Sequence, residues 1–185
     1  MRFRPECSTH VPRTRCGMML RRAFFAGALT AGTVLMGCSP ALNWRVVTLE
    51  QMNALLPCKP DHAQRQLTLA QTSVVMDMVG CEADGALYAV SHVRLTDPKT
   101  VPDVVQAWRS ATLGNMHAGD VPAPPDPGTA AMQVLDVKGV RPDGTPVQAA
   151  LSWWVSGLDI YHLAVFATAL TPERTETFFT QSRIR

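Results

Sequence analysis

Downstream of Cys38, chemistry could be carried by His62, His92, His117 and His162, by Cys58 and Cys81, and by the acidic group Asp77, Glu82 and Asp84. Their spacings match no compact catalytic or metal-binding motif. No histidine sits in an HExxH helix or has a Cys or His partner at zinc-ligand spacing, so no metal is implied. Gly-x-Ser-x-Gly is absent, and Ser156-Gly157 reads as turn chemistry. Phosphate-cradling loops and dinucleotide fingerprints are absent too, and no cofactor is implied. Asp77, Glu82 and Asp84 lack EF-hand spacing and read as a solvated turn and strand face. The sequence therefore designates no catalytic residue. An enzyme would have to assemble its site from dispersed residues such as His92, Asp77 and His162. Trp153-Trp154 is a different kind of candidate. Adjacent side chains of a strand point to opposite faces, so each tryptophan is either core or part of a binding surface.

The remaining reactive residue is Cys38. Arg21 and Arg22 precede the apolar run Ala23–Met36, which is shorter than the ~20 residues needed to span a bilayer. A basic start, a short apolar core and small residues before a cleavage point make an export signal. Leu35-Met36-Gly37-Cys38 resembles the lipobox of bacterial lipoproteins. That resemblance implies a lipidated, amino-terminal Cys38, and such anchoring holds firmly when two or more acyl chains are buried. Ser39 after the cysteine implies, by the same resemblance, sorting to the outer membrane. Arg21-Arg22-Ala23-Phe24-Phe25 also resembles a twin-arginine signal, so general and twin-arginine export both stay open. The polar residues 1–17 precede Met18 and Met19, and either methionine is a reasonable true start. The expected organisation is an extension and signal over 1–37, a lipidated tether over 38–43 and one globular domain over 44–185.

Cleavage before Cys38 changes the electrostatics. Six of the 17 basic residues and one of the 15 acidic residues precede Cys38, leaving 11 positive and 14 negative charges, a net of −3. The basic character belongs to the leader, and no nucleic-acid partner is expected. Cys58 and Cys81 become the only remaining thiols. In an oxidising compartment they read as a disulfide, against the alternative of two free buried thiols. The bond would close a loop of about 24 residues and stabilise by roughly 3 kcal/mol in the chain-entropy account.

The elements that must position these residues follow from periodicity. An apolar stretch covers Trp44–Leu49, and Met52–Cys58 is a short element ended by prolines. Lys59–Gln64 reads as a polar turn. Gln66–Ala70, Thr72–Cys81 and Ala86–Leu95 read as strands, the last two joined by Glu82-Ala83-Asp84-Gly85. Thr100, Pro102 and Asp103 open a helix whose apolar stripe runs through Val104, Trp108, Thr112 and Met116. Gly119–Gly128 (GDVPAPPDPG) is an extended connection. Ala131–Val140, Pro146–Val155 and Ile160–Thr168 are three further strands. Thr171-Pro172-Glu173 starts a terminal helix carrying Phe178 and Phe179 inward, and Ser182–Arg185 returns to a sheet edge. The predicted class is α+β: an antiparallel sheet of hairpins packed with one mid-chain and one C-terminal helix.

SPALNWRVV, LLPCKPD, GCEADG and WWVSGLDIYHL are similar to segments of a group of uncharacterised proteobacterial lipoproteins. The order of hairpins and helices more distantly resembles the PsbP-like fold, which implies an α/β/α sandwich. No activity or catalytic residue comes with that resemblance. The expected function is a periplasmic lipoprotein, anchored to membrane through Cys38, acting as a non-catalytic interaction or assembly module with a protein partner. The enzyme built on His92, Asp77 and His162 is the alternative.

Overall fold

A computed structural model describes residues 42–119, 121 and 133–185. The leader, Cys38, Ser39 and most of the Gly119–Gly128 connection lie outside the described residues. The chain begins with a hairpin, β1 (Arg45–Leu49) and β2 (Met52–Leu56), turning at Glu50 and Gln51. Six hairpin-forming strands follow in two groups of three: β3 (Asp61–Leu69), β4 (Thr72–Ala83) and β5 (Ala86–Arg94), then, after a helix, β6 (Leu135–Val140), β7 (Pro146–Ser156) and β8 (Asp159–Ala167). The intervening helix α1 spans Val101–Asn115, α2 spans Pro172–Gln181, and β9 is the short Arg183–Ile184.

Six strands form one antiparallel sheet in the order β3-β4-β5-β8-β7-β6, while β1, β2 and β9 form a second sheet of three. The fold is α+β, as the periodicity predicts. After β5 the chain crosses to the far edge through α1, and β6, β7 and β8 then step back inward. β8 thereby lies against β5 at the centre of the large sheet.

Alternation along the strands gives that sheet two apolar faces, and each is covered. On one, Tyr88, Val90, Leu163 and Val165 pack under Phe178 of α2 and under Met52, Ala54 and Leu56 of β2. On the other, Val93 and Ile160 pack under Val104 and Trp108 of α1. A disulfide between Cys58 and Cys81 ties the end of the small sheet's second strand to β4.

Two local expectations change. β3 begins at Asp61, inside the segment expected to be a turn, because Asp61–Gln66 form an edge strand exposed on both faces and show no alternation. Thr100 occupies the N-cap of α1 but its side chain makes no capping bond. Its hydroxyl instead donates to the Asp97 carbonyl, and the Asp97 carboxylate caps a preceding 3-10 turn by accepting from the Lys99 amide.

Candidate functional site

The two faces carry different polar groups. On the face under the small sheet, His92 and Asp159 are both buried, at 4% and 5% exposure, and the imidazole Nε2 lies 2.8 Å from Asp159 Oδ1. Arg94, directly opposite Asp159 in the β5–β8 ladder, donates through one Nη to both carboxylate oxygens at 2.9 and 3.1 Å. Tyr161 lies over His92 with ring centroids 4.9 Å apart, and its hydroxyl accepts from the Gln51 amide in the β1–β2 turn. Burial raises the Tyr161 phenol above its ordinary pKa. Asp77 pairs with His92 across the β4–β5 ladder, but its carboxylate accepts from Gln64 at 2.7 Å. This cluster fastens the start of β8 to β5 and to the small sheet.

His162 lies on the opposite face. It pairs with Ser91 in the β5–β8 ladder, whereas His92 pairs with Tyr161, so the two imidazoles point to opposite sides. The structure brings His92 and Asp77 to one face and separates His162 from them. His162 stacks on Trp153 at 4.5 Å between centroids and meets the edge of Trp108 at 5.4 Å. Burial pulls its pKa down to about 3, so the ring is neutral near pH 7. His162 Nε2 and Trp153 Nε1 are buried without a hydrogen-bond partner among the described residues.

Beside this aromatic group the helix covering stops short. Trp108, Thr112, Asn115 and Met116 of the α1 end form one wall of a cleft of about 850 Å³. Its base is the open part of the sheet face, including Ala89, Ser91, His162 and Ala164, with Met76, Met78 and Phe166 alongside. The β4–β5 turn, with Glu82, and the β6–β7 turn, with Arg141, stand at its mouth. The β4–β5 turn is rigidly specified, since Asp84 and Gly85 both have positive φ, 49° and 69°. Gly139 permits the other wall: a Cβ there would run into the Met116 backbone carbonyl, which accepts from the Val140 amide.

Trp153 and Trp154 fall on opposite faces, and each is half-buried against core residues, Trp153 beside His162 and Trp154 with the cluster around Tyr161. Neither stands out as an exposed aromatic. The carboxylates expected to be solvated divide as well. Asp84 pairs with Arg174 of α2 at 3.1 Å, while Glu82 is exposed on the cleft side. Among the described residues no group of three His, Cys, Asp or Glu side chains could hold a metal ion. Among the same residues, no helix is long and apolar enough to cross a membrane. Compared with known proteins, the chain matches no family model, and no curated protein or solved structure is significantly similar to it.

Sequence reasoning missed Asp159, Arg94 and the cleft. One signal was available: a turn centred on Gly157-Leu158 fixes Trp153 opposite His162 by register alone. The meeting of His92 with Asp159, 67 residues apart, depends on the β5–β8 pairing and has no local signal.

Proposed function

We propose that this protein is a lipoprotein of the bacterial cell envelope, anchored through Cys38, whose folded domain binds a partner rather than catalysing a reaction. The observation that carries the proposal is the Cys58–Cys81 disulfide. A chain whose two domain cysteines pair, following Leu-Met-Gly-Cys and an apolar signal, suits an oxidising compartment outside the cytoplasm. The likeness to proteobacterial lipoproteins and to the PsbP-like sandwich belongs to the same reading, supported by helices packed on both faces of the antiparallel sheet. The non-catalytic part is supported by the polar groups themselves. His92 and Asp159 are bonded to each other in a buried position, Asp159 is also bonded by Arg94, and His162 faces the other way.

Fractionation of a bacterium expressing the full chain tests this. The unaltered protein is expected in the membrane pellet, in the outer-membrane fraction because of Ser39, and Cys38→Ala is expected to leave that fraction. Retention of Cys38→Ala in the same membrane fraction would contradict the anchor. Confinement of the unaltered protein to the inner membrane would contradict the sorting.

A further inference from the structure

The cleft beside α1 has the dimensions and lining of a small-molecule site, and its chemistry restricts what can enter. Such sites measure about 300–1,000 Å³ and are mostly apolar with a few placed polar groups. Here Met76, Met78, Trp108, Met116 and Phe166 supply soft, polarisable and aromatic walls, and Ser91 and His162 supply the buried polar groups. Methionine-lined walls adapt to ligands of varied shape.

We propose that this cleft binds an uncharged, mainly apolar molecule carrying one hydrogen-bonding group, such as a long-chain alcohol. This rests on reading the domain as a binding module, and on neither its lipidation nor its compartment.

Three observations carry the assignment. First, the buried polar groups at the base are neutral: Ser91 is 5% and His162 6% exposed, and no lysine, arginine or carboxylate lies among the buried lining residues. A charged head placed there would lose its hydration without a counter-charge. The same desolvation keeps His162 unprotonated down to about pH 3. Second, the mouth does not favour either sign, because exposed Glu82 and Arg141 both stand there and Asp84 is already held by Arg174. Third, His162 is a lining residue whose Nε2 has no hydrogen-bond partner among the described residues. Buried polar atoms are ordinarily satisfied, and a ligand hydroxyl is the group that would complete this one once the ring turns its edge to the cleft.

The test is photolabelling of the full chain in membranes with a diazirine-bearing dodecanol, followed by peptide mapping. Saturable labelling is expected on the segments containing Met76 and Met78, Met116 or Phe166, and unlabelled dodecanol is expected to suppress it. The matching dodecanoic acid is expected to label these segments at least tenfold less. Ala164→Trp and Ala89→Phe, each filling the base, are expected to lose the label while keeping the Cys58–Cys81 bond. Labelling outside the cleft segments, labelling that dodecanol does not suppress, or equal labelling by the acid would overturn the proposal. Suppression on the unaltered chain decides the matter even if both filled variants misfold. Cys38→Ser, labelled in whichever fraction holds it, is expected to label the same segments as the unaltered chain, so failure here is distinguishable from failure of the anchoring reading.

Discussion

His162 shows how one side chain can tie stability to pH. It sits between Trp153 and Trp108, and burial lowers its pKa from 6.5 to about 3. Between those values the unfolded chain takes up a proton that the folded chain refuses. Stability therefore falls as pH drops from about 6.5 to about 3, and changes little from this source above or below that window. At 1.36 kcal/mol per unit the loss amounts to roughly 4–5 kcal/mol at most. Urea unfolding across that range is expected to show the decline, and His162→Phe is expected to flatten it. Phenylalanine keeps the ring packing and removes the unpartnered nitrogen, so near pH 7 it is expected to be neutral or stabilising. An equal slope in both proteins would contradict the burial argument. Asp159 gives the opposite case, a buried carboxylate that is fully engaged. Asp159→Ala is expected to cost about 2–3 kcal/mol in chemical denaturation, because His92 loses its partner in a buried site. Little of this residue-scale pattern was legible beforehand. His92 and His162 stood out as polar residues in apolar strands, but their opposite directions follow from register, and Asp159 meets His92 only through the non-local β5–β8 pairing.

Hairpins were the most legible elements because their turns carry local chemistry. Asp84-Gly85 and Gly157 both supply the positive φ that tight turns require. The short Met52–Leu56 strand and the start of β3 were less legible, since an exposed edge strand has no buried side to impose alternation. Nothing local announces that α1 stops covering the sheet near Met116. That boundary depends on close approach to β6. Gly139→Ala places a Cβ against the Met116 carbonyl, and a displacement costing about 1–3 kcal/mol is expected in thermal or urea unfolding. An unchanged midpoint would show that α1 can shift freely there. The disulfide is the second inter-element tie. Replacing both cysteines by serine is expected to lower stability by roughly 3 kcal/mol under oxidising conditions. The same replacement is expected to have little effect in reductant, where the native pair is already open.

At the scale of the whole molecule, the large sheet holds two chemically distinct sides. One carries the hydrogen-bonded His92–Asp159–Arg94 cluster under the small sheet, which reads as structural fastening. The other carries the cleft, with neutral buried groups and an apolar wall. The α+β class was readable because strand and helix periods differ. The strand order was not, because the β5–β8 contact that creates both sites is non-local. The central claim joins an anchored amino terminus to an oxidised binding domain, and intact-mass spectrometry of the protein extracted from membranes tests both together. The expected mass is that of a chain running from Cys38 to Arg185, carrying acyl groups on Cys38 and lacking two hydrogens for the Cys58–Cys81 bond. A mass that includes residues 1–37, lacks acyl groups, or retains two free domain thiols would contradict the account.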